Sequence, residues 1–481
     1  MKKRWFLGIA LAAMLTNGTN LFAQSDFTPE VSAQLESISQ LVNTKSPNAE
    51  KELTKFLKKN GKDEEALIAF GKYFASKKQY ETALACAEKL YQKNPEYVPG
   101  LMFFGDLYLE QKQYGKAGEK YDEIIFHDKN HTEAYLKKAS VYKYVNAQTA
   151  LETLQALKEV KPDCVEADKE LASVYYHMNK VTDAIKTYES YFSKTQSPAI
   201  ESQKEYAILL FLDKQYAKSL EIIEKTLPKD PKDIGLNRMK FYNLVEEKKF
   251  SEADAAKNNL FGQYNDTLYN YSDYMYLGRL QKSNKNYPEA ITNLEKAVSL
   301  NPEKAEIYKD LAGTYELTDN YDKAIATYKN YIEHIGNKRT LADLLEYGKS
   351  YYSAANAVTD TTETGVKQKM EYIAGGDTIF ADVAARSDSH LGCLWRARIN
   401  SLIDPQNPVE SAKNYYEETL KRLEGKNNKS NTLESLKYLA FYYMKKDDNE
   451  NAKKYNDQVL AISPDDPLAK QIQTVIEATS K

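Results

Sequence analysis

Apolar and small residues return along this chain at two spacings, one of three to four residues inside a segment and one of about 34 between segments. The short spacing keeps apolar side chains on one face of an amphipathic helix. The long spacing is read from the small residues Ala83, Ala117, Ala150, Ala184, Ser219, Ala253, Ala290 and Ala324, which stand 34, 33, 34, 35, 34, 37 and 34 residues apart. A sustained period of that length predicts stacked helix-turn-helix units. In the unit Tyr271–Lys304, Gly278 and Ala290 let the two helices approach, while Leu277, Leu294 and Ala297 form the inner stripes. Pro302 stops the second helix, since it lacks a backbone donor and restricts the residue before it. Tyr287, in the turn Asn286-Tyr287-Pro288, fills the space between the helices.

The other units keep this skeleton. Gly71, Gly105, Ala139, Ala172, Ala207, Ala312, Gly348, Ala397 and Ala440 take the small position on the first helix, and Phe241 breaks the rule once. Aromatics recur at Phe74, Tyr108, Tyr142, Tyr175, Tyr315, Tyr351 and Tyr443, so many of the 38 tyrosines are expected as wedges between helices. With Tyr274, Leu277, Gly278, Tyr287, Ala290, Leu294, Ala297 and Pro302 in place, the Tyr271–Lys304 unit resembles the tetratricopeptide repeat family. The resemblance implies an all-α, right-handed superhelical solenoid of about twelve helix-turn-helix units, closed by a C-terminal capping helix, and a function in binding rather than catalysis. The expected divisions are a signal peptide over 1–23, a degenerate first unit over 24–63, regular units over 64–338, irregular units over 339–432, and a last unit with the capping helix over 433–481. In the cap, Leu468, Ile472, Val475 and Ile476 are expected inward and Lys470, Gln471 and Gln473 outward, because a stack needs a polar outer face.

Lys2, Lys3 and Arg4 precede an apolar run from Trp5 to Leu15, and Ala23 ends a short segment of small and polar residues. This reads as a secretory leader cleaved after Ala23, with no cysteine nearby for lipid attachment. The expectation is a soluble, exported periplasmic protein with no integral membrane segment after cleavage. Loss of those three cations changes a net charge of −3 into 63 basic against 69 acidic residues, which argues against nucleic acid as a partner. Cys86, Cys164 and Cys393 lie in distant units, so no disulfide is expected.

The period fails once. Gly348 and Gly376, matching small positions, are 28 residues apart where a regular unit has 12. Sixteen extra residues, roughly Ala355 to Met370, are assigned to the turn of that unit, as a longer helix pair with a polar surface loop. A smaller insertion follows at Ile403–Val409. Trp395, between Arg396, Arg398 and the preceding helix, is read as a core residue with solvated arginines in preference to a stacking platform.

The family resemblance implies that the first helices line a concave groove through positions 2, 5, 9, 12 and 13 of each unit. In the fourth to eighth units these are Lys169, Tyr176, His177, Lys204, Phe211, Arg238, Tyr242, Arg279, Lys282 and Lys309, a basic and aromatic run suited to an acidic, aromatic-containing peptide. Glu166, Glu201, Glu246, Glu306 and Glu316 neutralise part of it. The family's carboxylate clamp is not matched: positions 5 and 9 read Ile68 with Lys72, Met102 with Asp106, Leu136 with Ser140, Lys169 with Ser173, and Lys204 with Ile208. No catalytic set, cofactor motif or metal cluster is found. His127 and His131 have a helix-compatible metal spacing but bracket a turn, so no helix holds them on one face. The reading is a protein- or peptide-binding scaffold of the bacterial cell envelope. A glycan-binding part of an outer-membrane uptake system is the alternative.

Overall fold

Each unit of the period becomes a pair of helices. In the computed structural model, which describes residues 27–479, α-helices follow one another from α1 (Pro29–Asn43) to α25 (Pro467–Thr479), and no strand occurs among the described residues. The helices α1 to α24 form twelve pairs, and α25 closes the last one, as the period requires. The expected leader lies outside the described residues. By internal packing the chain divides into two compact units, one ending at Asn243 and the other beginning at Leu244. Within each, helices pack against the next helix or the next but one, the one-dimensional contact pattern of stacked repeats.

The small positions explain the close approach. Ala83, Ala117, Ala150, Ala184, Ser219, Ala253, Ala290 and Ala324 are all 0 % exposed. A Cβ on Gly278 would lie 2.6 Å from Leu294, and one on Gly348 only 2.4 Å from the Phe380 ring. Phe241, the exception, is itself fully buried. The turns inside pairs are built alike: Lys78, Lys112, Asn179, Lys214, Lys248, Lys285, Asp319 and Asp447 each carry a positive φ of 56 to 63°. One left-handed residue reverses the chain in each of these turns, at a small cost outside glycine.

The irregular pair corrects the expected turn. The helices α19 (Leu341–Ala357) and α20 (Glu363–Arg386) are joined by residues 358–362 alone, so the extra residues lengthen the helices. Thr362 caps α20 by accepting from the Gly365 amide at 3.3 Å. The smaller insertion does form a loop, between α21 (Leu391–Ser401) and α22 (Glu410–Leu423), where Asp404 accepts from the amides of Gln406 and Asn407. In α25 the inward stripe is Ala469, Ile472 and Ile476, and Val475 is 43 % exposed, contrary to expectation. Residues 469, 472 and 476 fall on one helical stripe, and Val475 lies at its edge.

Candidate functional site

The first helices of successive pairs are tied by polar rungs that leave from one helix and end about one period away. Before Asn243, Lys137 reaches Asp106 at 2.7 Å, Lys143 reaches Glu170 at 3.5 Å, and Lys204 reaches Asp233 at 2.7 Å. After Leu244, Arg279 bridges Glu246 at 3.2 Å and Asp310 at 2.6 Å, Lys309 meets Asp343 at 3.0 Å, and Arg398 meets Glu434 at 2.6 Å. The Ser350 hydroxyl donates to Glu316 in the same manner.

Among the described residues, rungs of this kind are absent between α3 (Glu64–Ser76) and α5 (Val98–Glu110), and between α19 and α21, where Lys349 lies over the Trp395 ring instead. Lys72 on α3 and Asp106 on α5 are one period apart, yet no side-chain ion pair joins these two helices. Asp106 is engaged on its other side: both its oxygens accept from Lys137 on α7 (Thr132–Tyr142) at 2.7 Å, and one accepts from the Tyr121 hydroxyl at 2.8 Å. Lys72 is left half-buried without a counter-ion among the described residues, and Glu65, about two turns earlier on α3, is also unpaired among them.

At this gap α3, α5 and α7 wall an open depression of about 580 Å3. Each helix is set locally. Asp63 caps α3 by accepting from the Ala66 amide at 2.6 Å, Pro99 lies in the first turn of α5, and His131 caps α7 by accepting at Nδ1 from the Ala134 amide at 3.2 Å. His131 is thereby fixed as a cap, while His127 ends the preceding helix, as the turn between them predicts. The lining mixes polar groups, among them Tyr97, Asp106, His131 and Lys137, with an apolar strip on α3 and α5 that forms its floor. Gly71 has no Cβ, and the Phe103 ring occupies its place, 2.4 Å from where that Cβ would be. Ile68, Ala69, Val98 and Met102 continue the floor.

The residues expected from sequence are placed as follows. In the unit that ends at Asn243, Lys169 pairs with Glu170 at 3.0 Å and Lys204 with Glu201 and Asp233, both at 2.7 Å. Tyr176 is half-buried and meets His177 edge-on at 5.3 Å, and burial pushes its phenol up to about 12. His177 packs on Tyr144 at 4.7 Å, and burial followed by the Lys143 charge lowers its imidazole to about 4. Phe211 is half-buried against Tyr216 and Tyr242, Tyr242 is buried, and Arg238 is half-buried. In the unit that begins at Leu244, Arg279 and Lys309 are rung cations, and Lys309 also lies 5.3 Å from the Tyr331 ring. Lys282 lies across Gly313, its Nζ 3.1 Å from where a Cβ would stand, and burial lowers its ammonium. Lys169, Lys204, Arg279 and Lys309 are therefore joined to carboxylates of the chain itself. The depression at α3 to α7 was not singled out in the sequence, although Ile68, Lys72, Met102 and Asp106 hold the same repeat positions.

Trp395 does not offer an open platform. Phe380 stacks on it at 5.6 Å, Tyr352 meets it edge-on at 5.4 Å, and Arg398 and Lys349 lie over it at 4.6 and 5.3 Å. The arginines beside it are paired rather than solvated, Arg396 with Asp377 and Arg398 with Glu434, each through two hydrogen bonds. Cys86, Cys164 and Cys393 are free thiols, and burial pushes Cys86 up to about 12. No group of three metal-ligating side chains and no helix long and apolar enough to cross a membrane occur among the described residues.

Residues 283–345 match the family model of the tetratricopeptide repeat. No curated protein sequence matches the chain. Among solved structures, the C-terminal part of a TPR repeat-containing protein from Cytophaga hutchinsonii is 22 % identical, covering 56 % of this chain and 98 % of that one, with a TM-score of 0.46. A tetratricopeptide repeat protein from Parabacteroides merdae is 15 % identical over 60 % of this chain and 99 % of its own, with a TM-score of 0.29. The Cut9–Hcn1 hetero-tetramer of APC/C has a chain 14 % identical over 94 % of this one and 91 % of its own, with a TM-score of 0.33. At these scores the three structures carry no inference about function.

Proposed function

The chain is a tetratricopeptide-repeat protein, and from that premise we propose that it is a non-catalytic scaffold holding a partner protein or peptide on the face of its first helices. The observation that carries the reading is the missing rung between α3 and α5, where an apolar floor and an unpaired cation and anion stand open together. At Lys137, Lys143, Lys204, Arg279, Lys309 and Arg398 that face is cross-linked by ion pairs within the chain, and a paired charge has little to give a ligand. Buried apolar contact supplies affinity, and charges at the margin supply register.

We further propose that the scaffold works in the bacterial cell envelope, on the strength of the cationic, apolar and small-residue order of residues 1–23. Cell fractionation tests this: recovery from the cytoplasm alone defeats it. The binding reading is tested by affinity capture from an envelope extract, comparing wild type with Met102→Arg, which places a charge in the floor. Loss of a wild-type partner is expected. The same partners on both proteins would remove the depression from consideration. Reversal of Lys204 or Arg279 is a poorer probe, since each also breaks ion pairs of the fold. No observation in the structure favours glycan binding, given the covered faces of Trp395.

A further inference from the structure

We infer that the depression between α3, α5 and α7 takes an extended segment of the partner carrying a basic residue, an aliphatic residue two positions on, and an acidic residue two positions beyond that. The inference rests on the binding reading above and adds the chemistry of the occupant. Lys72 has no counter-ion among the described residues, and the nearest carboxylate in the repeat pattern, Asp106, is held by Lys137 and Tyr121. A carboxylate brought by the partner supplies that counter-ion.

The opposite end asks for a cation. Glu65 in the first turn of α3 is exposed and unpaired, and Glu133 in the first turn of α7 has only a 3.5 Å contact with Lys137. Between the two ends lie Ile68, Met102 and the Phe103 ring, with no hydrogen-bonding group among their side chains. The occupant is therefore charged at both ends with opposite signs and apolar in the middle. A uniformly acidic segment meets Glu65 and Glu133, and a uniformly basic one meets Lys72.

Geometry sets the spacing. Glu65 and Lys72 are seven residues apart on one helix, about 10 Å along its axis. In an extended chain, residues i, i+2 and i+4 share one face and span about 13 Å, a mismatch that long Lys and Glu side chains absorb. A depression of about 580 Å3 has room for a few side chains of such a segment.

The test is fluorescence anisotropy with the full chain and labelled peptides containing Lys-Ser-Leu-Ser-Glu, Lys-Ser-Leu-Ser-Lys or Glu-Ser-Leu-Ser-Glu. Wild type is expected to bind the first at least tenfold more tightly than the other two. Lys72→Glu should weaken the first about tenfold and gain affinity for the peptide with Lys at both ends, with an unchanged helical circular dichroism spectrum. Equal binding of all three peptides by wild type overturns the inference, as does indifference to Lys72→Glu. So does a loss on Lys72→Glu that the charge-matched peptide does not recover. These outcomes leave the scaffold reading to the capture experiment with Met102→Arg, whose partner need not carry this pattern.

Discussion

The first-helix face is used in two ways along the chain. From α15 (Tyr271–Ser283) through α17 (Ala305–Glu316) to α19, Arg279 and Lys309 each find a carboxylate about one period away and join successive helices. Between α3 and α5, Lys72 holds the repeat position of Arg279, but no carboxylate of α5 meets it, and Asp106 is turned to α7. The repeat skeleton is common to both regions, with the same small residues and the same reversing turns. What differs is whether the charges are satisfied inside the chain, and that decides which stretch is structural and which is left for a partner.

The comparison predicts its largest effect in the closed region. Arg279→Met removes a cation shared by Glu246 and Asp310 and leaves the Asp310 carboxylate without its 2.6 Å partner. Breaking a buried pair costs about 3–5 kcal/mol, and with both side chains about a quarter exposed the loss here is expected near 2 kcal/mol. Thermal and urea unfolding measure it. The double variant Arg279→Met/Asp310→Leu should recover the part of the loss due to Asp310, because an apolar pair needs no counter-ion, while Glu246 keeps only the Tyr276 hydroxyl. A single variant as stable as wild type would show that these rungs do not hold the stack.

A smaller effect follows at Asp343, with a pH signature. Burial raises its carboxyl, but the Thr340 amide and hydroxyl, the Tyr331 hydroxyl and Lys309 outweigh burial and hold it at about 2, against an ordinary 3.8. A folded-state value below the unfolded one contributes stability that is present above the unfolded value and is lost as pH falls through the folded one. Asp343→Asn is therefore expected to cost about 1.5 kcal/mol at neutral pH, the low end for hydrogen bonds to a charged group. The gap to wild type should close between pH 3.8 and about 2. A gap that stays constant over that range would mean the carboxylate's charge contributes nothing.

Much of the fold was legible because packing repeats. The period located twelve pairs and a cap, since a small residue is needed wherever two helices cross closely, and Gly278 and Ala290 are where the crossing occurs. The long pair was harder: Gly348 and Gly376 marked the extra length, but sixteen residues can extend helices or a turn without changing that count. Val475 was misplaced because Val475 and Ile476 are adjacent, and one helical stripe buries only Ile476. The candidate site was less legible for a physical reason. Basic residues were gathered by repeat position, whereas their fate is set by a carboxylate about one period away, as with Lys204 and Asp233 or Arg279 and Asp310. Pairing charges across one period would have found those rungs, yet it would have joined Lys72 to Asp106. Only the structure shows that Lys137 reaches Asp106 first.

The smallest stability effect belongs to the open region and sharpens the contrast most. Lys72→Met removes a cation that has no counter-ion, and its aliphatic replacement still lies along the apolar floor beside Ile68 and Met102. No buried partner is orphaned, so the change should stay within about 0.5 kcal/mol, as for ordinary surface substitutions. Measured beside Arg279→Met in the same unfolding experiments, the two cations are expected to differ by well over 1 kcal/mol despite equivalent roles in the sequence pattern. If Lys72→Met were as costly as Arg279→Met, Lys72 would be a structural rung cation, and the distinction between a closed and an open first-helix face would fail.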